Sequence, residues 1–346
     1  MIQRVTTDVL IIGAGLAGSI LAWRLIQAGQ SVHLIHNPEI TSASRVAAGL
    51  INPVTGQRLV LQSNIDTILP AARKLYEQLS TQFEKPFFFA KPMLRTLQNQ
   101  KAQEAWNKRR NHPDYQDYLS AIPDSPNTIE QHNTGYLDTN SLLDSLHAYF
   151  RDQQCLTESH IDLQDIQIHD SHIQWQNIEA EKIILCQGWR TKNCSFFSYL
   201  PFQPAKGEIL TLFTPNKLPE HIINQGTWLL PLQHGHFRLG ATYQTQTDDE
   251  SISQAGKDQL LKALALMPIE QNEVIIKDHQ AGIRPNTLDK SPFLGMHPTY
   301  HNIGIFNGFG SKGSLLIPWY SKRMCEYLTR QKVLPAEADI QRFACA

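Results

Sequence analysis

The hydrophobic pattern is sharpest at the start of the chain. Asp8 to Ile12 (DVLII) is a short β-branched apolar run, which predicts a strand buried in a parallel sheet. GAGLAG follows directly. SILAWRLIQAG then places apolar residues at helical spacing and ends with Gly29 as a C-cap. SVHLIH, residues 31–36, predicts a second strand, so that strand, glycine turn, helix and strand form one βαβ unit. Far downstream, TWLLPL and FRLGATY flank QHGH with Gly235 in the turn and predict a β-hairpin. Near the end, the strand NIGIF, the loop NGFGSKG and a helix from about Ser314 to Arg330 repeat the opening device.

Within the first turn, Gly13, Gly15 and Gly18 stand at GxGxxG spacing, with Ala14, Leu16 and Ala17 between them. Set between strand and helix, such glycines permit a tight turn, backbone approach to a pyrophosphate and close helix–strand packing. The helix N-terminus then faces the phosphates. A dinucleotide site is predicted. One position departs from the fingerprint, which expects Asp or Glu at the end of the second strand to accept two bonds from a ribose. His36 stands there, followed by Asn37. A neutral imidazole or an amide accepts one such bond, which predicts weaker binding and does not distinguish FAD from NAD.

Length and charge narrow the class. The 346 residues exceed what one small core needs and predict one large or two interleaved domains. A formal net charge of -1 does not suit a polyanion binder, although a local basic patch is compatible with it. The five cysteines (Cys155, Cys186, Cys194, Cys325, Cys345) form no CxxC pair, so neither a disulfide frame nor a zinc knuckle is predicted, and a reducing cytosol fits. His169/His172 and His234/His236 are close pairs without partners in register, and no metal site is predicted. VLIIGAGLAGSILAWRLI is broken by three glycines and Arg24, so it reads neither as a signal segment nor as a membrane span of ~20 residues. A soluble, cytoplasmic protein is expected.

SASRVAAGLINPVTG, residues 42–56, is unusually rich in small residues. From here the chain resembles the D-amino-acid oxidase-type FAD-dependent oxidoreductases, their glycine oxidase-like members in particular. GYLDTNSLLDSL (135–146), KIILCQGWR (182–190), PAKGEIL (204–210), TWLLPLQHGHFRLGATY (227–243), AGIRPNTLDKSPFLG (281–295) and GIFNGFGSKGSLLIP (304–318) match in family order. The resemblance implies an α/β chain, α+β overall: a Rossmann-type FAD-binding domain with an interleaved antiparallel-sheet substrate domain. FAD-binding portions are expected at 1–60, 135–200 and 281–346, and substrate-domain portions at 61–134 and 201–280.

The resemblance also implies which residues meet FAD. Beside residues 13–18, His36 and Asn37 these are Ala43, Ser44, Arg45, Ala48, Gly49, Leu50 and Gly188. The last loop adds Gly308, Phe309, Gly310, Ser311, Lys312, Gly313 and Ser314. In the family this loop aims backbone N–H groups at the flavin pyrimidine, and a helix N-terminus suits the negative charge that grows there on reduction. Sarcosine-oxidase relatives attach flavin through a cysteine just ahead of the position of Arg284. Gln280, Ala281, Gly282 and Ile283 stand there in this chain, which implies noncovalent FAD.

The family oxidises C–N bonds. Hydride passes from the amine-bearing carbon to flavin N5, water hydrolyses the imine, and O2 reoxidises the flavin with release of hydrogen peroxide. The cofactor supplies this chemistry and the protein positions the substrate, a small amine or amino acid. A substrate carboxylate calls for a planar two-pronged donor, and arginine has that fork. Arg284 matches the family position, and Pro285 biases it towards an extended backbone. The bland alternative is a surface or interdomain salt bridge. Asn52, Trp228 and Tyr243 are further substrate-positioning candidates, the two aromatics being equally readable as strand packing.

Two other readings stand beside this one. The oxidase half of the bifunctional tRNA wobble-uridine modification enzyme belongs to the same family, cleaves a carboxymethylaminomethyl group and carries a loop like GSKG (310–313). Lys91, Arg95, Lys101, Lys108, Arg109 and Arg110 against Glu104 would then form an RNA patch, where the ordinary reading is one solvated helix face. The other reading is a flavin-binding module without turnover.

Overall fold

The computed structural model of the protein describes residues 4–245 and 247–343, so Cys345 lies outside the described residues. The chain forms two compact units. One comprises Met1–Arg45, Thr139–Ala205 and Ile283–Ala346, the other Val46–Asp138 and Lys206–Gly282. The first crossing, expected near residue 60, falls at residues 45/46. The reason is local pairing: the strand Leu50–Ile51 bonds to Gly135–Leu137, which also pairs with Phe88–Ala90, and this small sheet holds the segment in the second unit.

In the first unit, β1 (Val5–Ile12) leads through the glycine turn into α1 (Leu16–Gln27) and then β2 (Val32–His36). β1 lies between β2 and the strand Ile178–Leu185, parallel to both. Its last four residues, Val9–Ile12, are all buried, and there the sequence is an unbroken apolar run. Ile11 is fully buried and Val9, Leu10 and Ile12 nearly so. Each such side chain contributes about 1.5–3 kcal/mol on burial. Leu156–Glu158 extends the parallel set beyond β2, and Ile303–Asn307 pairs parallel to Ile178–Leu185. Antiparallel strands at Ile173–Trp175 and Phe293–Met296 make the eight-stranded sheet mixed. The last helix, Gly313–Arg330, packs on α1. Arg24 joins this contact rather than facing solvent, donating through Nε to Ser321 Oγ at 2.9 Å and through Nη2 to the Pro318 carbonyl at 3.0 Å.

The second unit is built on a nine-stranded sheet in which the hairpin Thr227–Pro231 and His236–Gly240 is central. Pairing of Leu229 with Leu239 fixes its register. One face, with Leu210, Leu212, Leu229, Phe237 and Leu239, is covered by Leu260 and Leu264 of the helix Gln254–Leu264. The other packs Met93, Ile222 and Leu230 with Ala48 and Tyr136, and Trp228 lies against this second cluster. Ile222–Gln225 runs parallel to Met93–Thr96, which pairs antiparallel with Thr128–Gln131 on its other side.

Candidate cofactor and substrate site

The three fingerprint glycines stand in different surroundings. Gly13 has φ of 102°, and a side chain there would come within 2.6 Å of the Cys186 carbonyl oxygen. A Cβ at Gly18 would overlap the Gly13 carbonyl oxygen. Both glycines are thus demanded by the protein itself. Gly15 is not: its φ of -71° suits any residue, and a Cβ would meet Ser44 Oγ at an ordinary 3.4 Å. Protein packing leaves the glycine at 15 unexplained.

Gly15 caps α1, whose first i→i−4 bond runs from Ser19 N to the Gly15 carbonyl at 2.9 Å. The amides ahead of that bond lie at the positive end of the helix, where phosphates are favoured. Leu16 N donates to Ser44 Oγ at 3.0 Å, so Ser44 takes one of these amides. Ala14 and Leu16 are buried and Ala17 is partly so. Ser44 belongs to a one-turn helix, Ala43–Val46. Arg45 secures that turn, donating through Nη1 to Asp144 Oδ1 at 2.6 Å and to the Asn140 carbonyl at 3.2 Å.

His36 ends β2 half-buried, and its ring lies 4.9 Å from that of His147. Burial lowers the pKa of His36, with Arg45 and Arg151 adding to the shift and Glu158 opposing it. Asn37 is engaged locally, Oδ1 accepting from Glu39 N at 3.0 Å and Nδ2 lying 3.3 Å from His160 Nδ1. His147 had no sequence assignment. From the helix Thr139–Asp152 its Nε2 reaches the Ala14 carbonyl at 2.8 Å, and burial pushes its pKa down to about 4. Its signal was present as a polar residue among Leu142, Leu143, Leu146 and Phe150 on the buried helix face.

The second glycine loop lies in the same unit. The Gly188 carbonyl accepts from Asn307 Nδ2 at 2.8 Å. Gly308 N donates to Asn307 Oδ1 at 2.7 Å, and Gly310 N to the Pro285 carbonyl at 3.2 Å. Gly310–Lys312 is a single 3-10 turn leading into the helix that starts at Gly313. Phe309 is buried edge-to-face on Phe306, 4.9 Å between centroids, so its side chain serves the core. Ser311 is exposed, Ser314 is buried, and burial with the nearby Lys290 lowers the pKa of Lys312. Arg284 ends the strand Ile275–Arg284, and its Nη1 donates to the Ala205 carbonyl at 3.5 Å.

Asn52, Trp228 and Tyr243 belong to the second unit, as do Ala48, Gly49 and Leu50. Gly49 N–H and C=O lie beside Leu137, whose N–H donates to the Gly49 carbonyl at 2.9 Å, and a Cβ at Gly49 would overlap the Leu137 carbonyl. Asn52 commits both ends of its amide to the chain: Oδ1 accepts from Val54 N at 3.0 Å and Nδ2 donates to Gln131 Oε1 at 3.3 Å. Trp228 lies across Gly240, its cross-strand partner, where a Cβ would come within 2.8 Å of the indole. Tyr243 lies beyond the hairpin strand and is 65% exposed. Arg238, unassigned from sequence, is on the Trp228 face. It donates through Nη1 and Nη2 to the Ala47 and Val46 carbonyls at 2.7 and 2.6 Å, and burial lowers its pKa to about 10. It ties down the residues that lead into Ala48–Leu50.

The cations between Lys91 and Arg110 do not share one helix face. Arg95 lies on the strand Met93–Thr96, and Lys101, Lys108 and Arg109 lie on the helix Gln100–Arg109. Lys91, Arg95 and Arg109 donate to the Glu220 carbonyl, the Gly56 carbonyl and Tyr115 Oη at 3.0, 2.9 and 3.0 Å. Among the described residues no His, Cys, Asp and Glu cluster could hold a metal ion, and no helix is long and apolar enough to cross a membrane.

A sheet entered through a glycine turn, with a helix N-terminus behind it and a second glycine loop in the same unit, defines a dinucleotide-binding type of fold. The family model described as DAO, FAD dependent oxidoreductase, matches residues 8–327, and the chain belongs to this family of FAD-dependent enzymes. The chain is 29% identical over 159 residues to the glycine oxidase of Geobacillus kaustophilus, a match covering 44% of this chain and 42% of that protein. A second match, 24% identical over 360 residues, is to the bifunctional protein ThiO/ThiG of Nostoc sp. and covers 95% of this chain and 54% of that one. Both matches therefore span less than two thirds of the relative. The crystal structure of the Geobacillus kaustophilus glycine oxidase superposes with a TM-score of 0.82 at 18% identity, covering 95% of this chain and 96% of that chain.

Proposed function

We propose that the protein is an oxidase of a small amine or amino acid, glycine-like or D-amino-acid-like, using noncovalently held FAD. Bound there, FAD would supply the redox chemistry, a two-electron oxidation of the amine's C–N bond to an imine that water hydrolyses, with O2 as the acceptor giving hydrogen peroxide. The chain's own part is binding and orientation. In this reading the first unit carries the cofactor. Gly13–Gly18 and the start of α1 hold the pyrophosphate, and His36 takes the ribose end. The helix that starts at Gly313 would turn its positive end to where negative charge develops on the flavin, the Gly308 and Gly310 amides being engaged by Asn307 Oδ1 and the Pro285 carbonyl. Arg284 grips the substrate carboxylate as a two-pronged donor, and Trp228 lines the substrate side.

The reading rests on one observation above others: the family match spans residues 8–327, a range that includes the glycine turn, Arg284 and the final glycine loop. The dispersal of the 91–110 cations, three of them already donating within the chain, favours a small substrate over RNA. The test is anaerobic mixing of the purified yellow protein with glycine, sarcosine, D-amino acids and modified tRNA. Bleaching of the flavin by the small amino acids is expected. Bleaching by modified tRNA alone would overturn the reading.

A further inference from the structure

We propose that His147 is a cofactor-positioning residue, fixing at once the glycine turn and the His36 ring at the adenosine end of the FAD site. This rests on the reading of residues 13–18 as the pyrophosphate turn. Two donors converge on the Ala14 carbonyl: Ser19 Oγ at 3.0 Å from within α1, and His147 Nε2 at 2.8 Å from a helix more than a hundred residues away. A carbonyl only accepts, so Nε2 carries the proton. A trans peptide holds its C=O and N–H antiparallel. Pinning the Ala14 oxygen towards His147 therefore turns the Gly15 N–H to the opposite side of the turn. Gly15 is also the fingerprint glycine that the protein's own packing leaves unexplained.

The same imidazole meets His36, ring centroids 4.9 Å apart at 53°. His36 stands where a carboxylate would bond a ribose, and its neighbour Asn37 is held by Glu39 N and His160. Burial lowers the pKa of both imidazoles, which keeps a neutral nitrogen on His36 able to accept from a hydroxyl. Packing alone gives no reason for a histidine at 147. Apart from Thr139 at the helix start, the face it shares is Leu142, Leu143, Leu146 and Phe150, and an apolar residue would fill it without desolvating a polar ring.

The experiment titrates wild-type, His147→Leu and His147→Gln apoproteins with FAD, using ADP as a competitor that shares the adenosine and pyrophosphate. Loss of one hydrogen bond predicts FAD binding weakened about 3- to 10-fold in the Leu variant, with ADP weakened by a similar factor. Glutamine can donate its amide to the Ala14 carbonyl, so the Gln variant recovers most of the loss. Wild-type FAD affinity in the Leu variant, weaker FAD with unchanged ADP, or a Gln variant no better than Leu would each overturn the proposal. Should the Leu apoprotein not fold, a Gln variant with wild-type FAD and ADP affinity supports the donor role and a weakened one refutes it. Wild-type apoprotein that takes up no FAD would remove the cofactor reading itself, a failure visible before any substitution.

Discussion

Gly15 and Gly18 differ in a way that separates a glycine kept for a ligand from one kept for the fold. At Gly18 an added Cβ overlaps the Gly13 carbonyl oxygen and lies 3.2 Å from Cys186 Cβ. The first neighbour is backbone, so α1 must move off the turn. Overpacking of this kind costs about 1–3 kcal/mol, and the helix propensity regained by replacing a glycine offsets at most ~1 kcal/mol of it. Gly18→Ala should therefore lower the stability of the apoprotein by roughly 1–2 kcal/mol and weaken FAD as well. At Gly15 the nearest atom is Ser44 Oγ at 3.4 Å and φ is -71°. Alanine caps a helix less well than glycine, but it also restricts the unfolded chain by about 0.4–1 kcal/mol, and these effects oppose each other. Gly15→Ala should leave apoprotein stability within about 0.5 kcal/mol of wild type while the methyl group stands in the pyrophosphate's approach, weakening FAD at least ~10-fold. Urea unfolding of the apoproteins and FAD titration measure the two quantities separately. Wild-type FAD affinity in Gly15→Ala would refute the ligand argument, and a stability loss equal to that of Gly18→Ala would show that packing explains both positions.

Arg284→Ala should keep the fold and flavin spectrum while lowering kcat/KM for a carboxylate-bearing amine by about 30- to 5000-fold, the equivalent of losing ~2–5 kcal/mol from a desolvated charge pair. Arg284→Lys should recover part of this, and an equal loss on an amine without a carboxylate would refute the assignment. Acid precipitation should release the flavin into the supernatant, since no cysteine stands among Gln280–Ile283 ahead of Arg284; flavin retained in the pellet would contradict noncovalent binding. The pKa values of His33, His36, His147 and His297 are all lowered by burial. The unfolded chain binds more protons as pH falls through the free-histidine value near 6.5, so stability present above that pH is lost on acidification, for His147 down to about 4. His147, 2% exposed, should alone account for about 1–2 kcal/mol between pH 7 and pH 5. Urea midpoints at the two pH values, with His147→Gln showing the smaller drop, test this.

Local periodicity determined the opening of the fold. β1, α1 and β2 lie where the apolar spacing puts them, as do the hairpin around Gly235 and the last helix, which begins at Gly313 against an expected Ser314. Such elements are legible because the residues that decide them are within a few positions of one another. The glycine spacing likewise announced a tight strand-to-helix turn, since its steric logic is contained in six residues. What tertiary structure decided were the partners. The segment from Val46 joined the second unit because Leu50–Ile51 pairs with Gly135–Leu137, and the basic run was divided between a strand and a helix. Asn37 and Asn52 looked available for ligands and proved engaged with Glu39 and Val54. His147 and Arg238 looked like ordinary helix and strand residues and proved to hold the carbonyls of Ala14, Val46 and Ala47. Every buried polar group needs a partner, but the sequence names only the need. Which carbonyl meets which donor is settled when segments more than a hundred residues apart are packed together.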